Sequence, residues 1–211
     1  MRTSAAQLLA ENAGTGDAEL FFARALLDRL PGAIVVVGPT SNVVFFNRNA
    51  SALISASDGL RLRAHGHPRL VFADKMQQHL FDRLVAQACS REAARTTSGL
   101  HVARPSGKPG YVVQVSSLGR LAAHDGRAAV FITDPCEHYT LDGPLLESVY
   151  ELTGAELRVA EGMLGDKSLG EIAAMLRVKK STARTQLSSL FRKTRTSRQA
   201  QLVKLLMALR S

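Results

Sequence analysis

Two helix-start signals near the C-terminus do most to fix how that part of the chain folds. In Thr153-Gly-Ala-Glu156 the Thr hydroxyl accepts an orphan amide at a helix start, and the Glu carboxylate reaches back. Ser168-Leu-Gly-Glu171 repeats the arrangement. Ser181 is placed to cap a third helix, and Thr196-Ser-Arg-Gln199 to start a fourth. Helical apolar spacing follows each start. Leu157, Ala160 and Leu164 line the first helix, and Leu169, Ile172, Ala173 and Leu176 the short second. Ala183, Leu187, Leu190, Phe191 and Thr194 line the third, and Leu202, Leu205, Leu206 and Leu209 the fourth.

The charge on this segment has one sign. No Asp or Glu follows Glu171, yet the forty residues after it carry ten Lys and Arg. The whole chain has a formal net charge of +9, so residues 1–171 sum to −1 (+9 less +10). A one-signed field on a small segment is the footprint of a polyanion site. An anionic lipid surface would want bulky apolar anchors on the basic helices. Phe191 is the single aromatic there and falls on the apolar side, and the leucine faces are needed for a core. No run reaches about 18 apolar residues, so no membrane span is expected.

The second and third helices are separated only by Arg177-Val-Lys-Lys180. A short helix, a tight turn and a longer helix make a helix-turn-helix. The polar face of the third helix carries Arg184, Thr185, Ser188 and Arg192, with Ser189 on its edge. Side chains of this reach at the N-terminal half of a helix read base edges in a major groove. Lys179 and Lys180 before the helix, and Arg192, Lys193 and Arg195 at its end, are placed for phosphates. Ser181 and Thr182 put free amides and hydroxyls at its N-terminus, which favours a phosphate there.

At these residues the chain resembles a known family. Leu152-Thr153-x-x-Glu156, Ser168-x-x-Glu171-Ile-Ala-x-x-Leu176, Ser181-Thr-Ala-Arg-Thr185 and the run Lys193 to Val203 are similar to the LuxR-type DNA-binding domain. The resemblance spans 150–210 and implies that the third helix enters the major groove while the fourth makes a dimer. By position it puts the groove-facing residues at Arg184, Thr185 and Ser188. The phosphate contacts fall around Lys180, Thr182, Arg192 and Lys193. The chain departs from the family at three places. Asp166 stands where Gly is common and is expected to take the left-handed turn. Arg195 stands at a C-cap where Gly is usual and pays a conformational cost. Gln186 replaces a frequent His. The implied partners are double-stranded DNA and a second copy of the chain, with RNA polymerase a further candidate. Leu202, Leu205, Leu206 and Leu209 form the expected dimer seam, unless the fourth helix only closes its own core.

The N-terminal part reads as an α/β module. Residues 17–30 are helical and Pro31-Gly32 stops them. Ala33–Val37 is a buried strand, a turn at Gly38–Asn42 follows, and Val43–Asn47 is the partner strand. A short helix is expected over 48–55, an irregular stretch over 60–71 and a long helix over 73–89. Strands follow at 98–104, 111–118 and 127–133, with turns at 105–110 and 122–126. Leu-Pro-Gly-Ala-Ile-Val-Val-Val from Leu30, followed by Val-Val-Phe-Phe-Asn-Arg-Asn-Ala from Val43, resembles the opening of a PAS domain. That resemblance spans 22–134 and implies one antiparallel sheet whose open face is covered by helices.

Several activities lack their residues. A receiver needs acids at the ends of early strands to hold magnesium, whereas these strands end in Gly38-Pro39 and Asn47-Arg48. A quorum-type autoinducer pocket relies on tryptophan, which is absent. Neither Cys89 nor Cys136 stands where a flavin photosensor needs one. His65, His67, His79 and His101 carry no signature of a haem ligand beyond being histidines. His65-Gly-His67 lacks further zinc ligands. Ser106-Gly-Lys108 lacks the spacing of a phosphate loop. Asp74 and Asp134 have no evident partner, and no catalytic constellation appears. The cofactor, metal and catalytic expectations are therefore none. An apolar ligand cavity and no ligand at all both stay open. Two cysteines without metal-ligand spacing, and an N-terminus without a signal-peptide pattern, point to a reducing cytoplasm.

The expectation is an α+β chain in three parts. A PAS-like five-stranded antiparallel sheet with helices spans 17–134, a linker and connecting helix 135–150, and a four-helix all-α LuxR-type domain 151–211. The expected role is a DNA-binding transcription regulator. A protein adaptor that offers its basic helices to acidic partners is the alternative.

Overall fold

Five short segments of the N-terminal half, four of them rich in Val, Ile or Phe, build one sheet. The computed structural model describes residues 17–63, 66–90, 97–119, 126–137 and 140–209. His65, Arg210 and turn residues 122–125 lie outside them. The first helix is α1 (Asp17–Arg29), followed by β1 (Ala33–Val37), β2 (Val43–Phe46) and α2 (Arg48–Ala56). Then come β3 (Leu60–Arg63), β4 (Arg69–Phe72), α3 (Lys75–Ala88), β5 (Thr97–Val102), β6 (Tyr111–Ser117) and β7 (Ala128–Thr133). The sheet order is β2-β1-β7-β6-β5, antiparallel throughout. This is the PAS-like sheet expected from the sequence.

Period-two alternation sets what each strand buries. On β6, Tyr111, Val113 and Val115 point into the core while Val112 and Gln114 face out. α3 lies against β5 and β6 and buries Phe81, Val85 and Ala88. Phe81 meets Phe72 edge-on, with ring centroids 4.9 Å apart. Asp74, without a partner in the sequence, caps α3 by accepting the Gln77 amide at 2.9 Å. Cys89 packs into the same core, and burial pushes its thiol pKa up.

One expectation fails here. Residues 60–71 were expected to be irregular, but β3 and β4 pair antiparallel as a separate two-stranded sheet. Leu60, Leu70 and Phe72 are buried while Arg61 and Arg63 face outward. The interleaved arginines hid a strand whose apolar alternation is only a few residues long.

A buried asparagine ties the first elements together. Asn47 Oδ1 accepts the Ile34 amide at 2.9 Å and the Ala50 amide at 3.0 Å. Its Nδ2 donates to the carbonyls of Leu27 at 3.1 Å and Gly32 at 2.9 Å. All four hydrogen-bonding positions of the amide are used. One side chain thus holds α1, β1 and the start of α2.

Asp134 also finds a partner. Arg104 Nε donates to Asp58 Oδ2 at 2.7 Å and its Nη1 to Asp134 Oδ1 at 2.8 Å. The guanidinium carbon sits 4.4 Å from the centre of the Tyr111 ring. Hydrogen bonds from Ser106 and Arg104 hold the Asp58 carboxyl at about 2.

The chain divides into two compact units, Met1–Cys136 and Glu137–Ser211. The second contains α4 (Gly143–Tyr150), α5 (Gly154–Leu164), α6 (Leu169–Met175), α7 (Lys180–Thr194) and α8 (Gln199–Ala208). Its core gathers Leu146 of α4 with Leu152, Val159, Met163, Ile172, Leu190, Leu202 and Leu206. Both capping boxes form, at Thr153/Glu156 and Ser168/Glu171. α5 and α6 approach closely at Gly162, where an added Cβ would fall 2.6 Å from Ile172 Cγ1.

The other two expected helix starts differ. α7 begins at Lys180, with Lys179 at the cap position and no side-chain cap bond, so Ser181 lies inside its first turn. α8 begins at Gln199 after an uncapped Arg198. Its entry is held by Gln201 Oε1, which accepts from the Ser197 amide at 3.1 Å and from its hydroxyl at 3.2 Å. Thr196 bonds Thr194 instead, oxygen to oxygen at 2.9 Å.

Candidate nucleic-acid interface

α7 is amphipathic, and its two faces separate cleanly. Ala183, Leu190 and Thr194 are buried, with Leu187 and Phe191 packed on the core. The opposite face leaves Ser181, Arg184, Thr185, Ser188 and Arg192 exposed, with Lys179, Lys180 and Thr182 exposed at its head. At 3.6 residues per turn, positions 181, 184, 185, 188 and 192 form one stripe. Lys180, Ser181, Arg184, Thr185 and Ser188 line a single open depression.

The charges on this stripe meet no carboxylate among the described residues: none of Lys179, Lys180, Arg184, Arg192 or Arg195 forms an ion pair there. Arg192 makes one light contact, Nη2 to Ser189 Oγ at 3.3 Å, and keeps its other donors. At the head of α7 the first amide bonded back into the helix is that of Ala183, to the Lys179 carbonyl at 3.1 Å. The amides before it have no helical partner.

Lys193 does not belong to this surface. Its Nζ donates to Glu156 Oε2 at 2.7 Å and to the Glu151 carbonyl at 2.6 Å. Its side chain is 19% exposed and that of Glu156 only 7%. The expected phosphate contact is thus a strut inside the unit, because the buried carboxylate of the first capping box requires a cation. Burial alone would raise the Glu156 pKa, but hydrogen bonds from Lys193, Ser189 and Thr153 outweigh it and hold the carboxyl at about 2. Ser189 is half-buried and accepts from Arg192, at the edge of the polar face. The strut joins the end of α4, the start of α5 and the last turn of α7, and so fixes how α7 is presented.

Three successive helices end in the same turn. Lys167, Val178 and Thr196 donate their amides to Gly162, Ala173 and Phe191 at 3.1, 3.0 and 3.0 Å. The left-handed residue just before each is Asp166 at φ 54°, Arg177 at φ 55° and Arg195 at φ 53°. None is glycine, so each carries a cost of about 1 kcal/mol. The sequence anticipated Asp166 and Arg195 and missed Arg177. Arg195 is exposed beside the end of the stripe.

The expected dimer seam loses half its members. Leu202 and Leu206 are 0% exposed and lie in the unit's own core. They cannot also meet a second chain. Leu209 packs partly on that core; on α8 Met207 is exposed and Val203 and Leu205 are half-buried.

Among the described residues no helix is long and apolar enough to cross a membrane. No three His, Cys, Asp or Glu side chains gather among them as a metal site needs.

No protein-family profile matches the chain, and no curated protein sequence matches it. Solved structures do. The phage VqmA–DPO complex is similar at 15% identity and a TM-score of 0.38, over 91% of this chain and 89% of that one. The Vibrio cholerae VqmA–ligand–DNA complex is similar at 16% identity and a TM-score of 0.40, over 89% and 87%. The PAS domain of Bordetella pertussis BvgS gives 13% identity and a TM-score of 0.41, over 64% of this chain and 97% of that domain.

Proposed function

We propose that this protein is a transcription regulator that reads double-stranded DNA through α7, as a LuxR-type helix-turn-helix does, with the PAS-like unit as its control module. The observation that carries the reading is the exposed stripe of α7. A wholly polar cationic face, with no ion pair among the described residues, on the longer helix of a helix-turn-helix pair has no role in the unit's own packing. Arg184, Thr185 and Ser188 are assigned to base edges. Lys179, Lys180, Ser181, Thr182, Arg192 and Arg195 are assigned to backbone phosphates. Lys193 is assigned to holding α7 in place. Two copies on a two-fold site would double the short stretch one helix can read. The remaining apolar surface at Leu205 and Met207 of α8, with the open part of Leu209 just past its end, is the proposed seam.

Salt dependence tests this reading against the adaptor alternative. Four cationic side chains on phosphates per copy give a slope of log K on log salt of about −3 to −4. Fluorescence anisotropy on a mixed-sequence duplex measures it. A flat response, or no binding at low salt, sinks the DNA reading and leaves acidic protein partners.

A further inference from the structure

We infer that the half-site read by α7 holds a guanine beside a thymine, with Arg184 on the guanine and the Thr185 methyl on the thymine. The inference rests on the DNA-reading role proposed above and adds the chemistry of the bases.

The side chains of the stripe leave few choices. Arg184 is exposed and has no carboxylate partner among the described residues. Its guanidinium is a planar fork of donors without an acceptor. Of the four base edges in the major groove, only guanine presents two acceptors side by side, O6 and N7. Adenine pairs one acceptor with one donor and calls for an amide. The single amide side chain on α7 is Gln186, which is not on the stripe and whose Oε1 is buried. Cytosine offers a donor and calls for a carboxylate, and α7 has none.

Thr185 is narrowed by its own hydrogen bond. Its Oγ1 donates to the Ser181 carbonyl at 3.1 Å, one turn back. The hydroxyl proton is therefore committed inside the helix, so Thr185 cannot donate to a base acceptor and offers DNA its methyl and an Oγ1 lone pair, of which the methyl is assigned to the base. The one methyl on a major-groove edge is that of thymine. Arg184 and Thr185 are consecutive and line the same depression, so the two bases are neighbours. Ser188, one turn further on, is short and accepts any base.

The test starts from selection of duplexes from a random pool by the full chain, which should enrich a guanine with an adjacent thymine. Deoxyuridine at that thymine removes only the methyl, and 7-deazaguanine at the guanine removes only N7. Wild-type protein should bind the deoxyuridine duplex about three- to ten-fold more weakly and the deazaguanine duplex about ten-fold or more weakly. Thr185→Ser keeps the hydroxyl and lacks the methyl, so it should lose affinity on thymine and lose nothing further on deoxyuridine. Arg184→Ala should be indifferent to deazaguanine. An enriched site without this dinucleotide, or wild-type affinity unmoved by either base analogue, overturns the inference while the DNA-reading role stands. A pool that yields no enriched sequence overturns that role itself.

Discussion

Lys193→Met should lower the stability of the C-terminal unit by about 2–3 kcal/mol at neutral pH, because it strands a buried carboxylate. Glu156 keeps its bonds to Thr153 but loses the cation at 2.7 Å. The Glu151 carbonyl loses its donor as well. The pH dependence separates this cause from lost packing. Glu156 has its pKa lowered from 4.5 to about 2 in the folded chain. Its contribution is present above the unfolded pKa and is lost as pH falls through the folded one. In the variant, protonating the stranded carboxylate relieves the penalty. The gap between wild type and variant should therefore narrow as pH drops from about 4.5 toward about 2. Urea unfolding midpoints for both proteins at pH 7 and pH 3 measure this. A gap equal at the two pH values would mean that the Lys193 stem, not its charge, matters.

Asn47→Ala should cost the N-terminal unit about 3–4 kcal/mol, the sum of a lost helix cap and of buried backbone groups left unpaired. The amides of Ile34 and Ala50 lose their acceptor, and the Leu27 carbonyl keeps only the Leu30 amide at 3.3 Å. The Gly32 carbonyl keeps only a long bond of 3.4 Å from Asn49. Asn47→Asp separates cap from tether. It preserves both accepted bonds but turns a carboxylate oxygen toward the Leu27 and Gly32 carbonyls. Hydrogen exchange resolved at Ile34 and Ala50 gives the readout. Fast exchange in the Ala variant, with protection partly restored in the Asp variant, is expected. Unchanged protection in Asn47→Ala would mean that the amides are held by something else.

The sequence revealed most where a rule is local. The two capping boxes each unite a hydroxyl and a carboxylate three residues apart, so both helix starts were legible and both form. The strand runs of the PAS-like sheet were legible because Val, Ile and Phe alternate or cluster between turn residues. The exposed stripe of α7 was legible because 3.6-residue periodicity sorts polar from apolar positions without knowledge of a partner. What failed depends on contacts distant in sequence. Lys193 and Glu156 are 37 positions apart, and no rule of spacing says which of ten tail cations meets the capping carboxylate. The same holds for Arg104, which bridges Asp58 and Asp134 across 46 and 30 positions. Leu202 and Leu206 read as a seam because a leucine row looks alike whether its partner is the same chain or another. The β3–β4 hairpin was missed because arginines sit at the outward positions and dilute its apolar signal.

The most direct measurement compares Arg184→Ala with Lys180→Ala on a selected duplex and on an unrelated one. Both residues are exposed, so neither change should disturb the fold. Arg184→Ala should lose about 1–3 kcal/mol on the selected duplex and much less on the unrelated one. Lys180→Ala should weaken both about equally. If Arg184→Ala leaves the preference between the two duplexes intact, α7 does not read sequence through this face and the central claim is wrong.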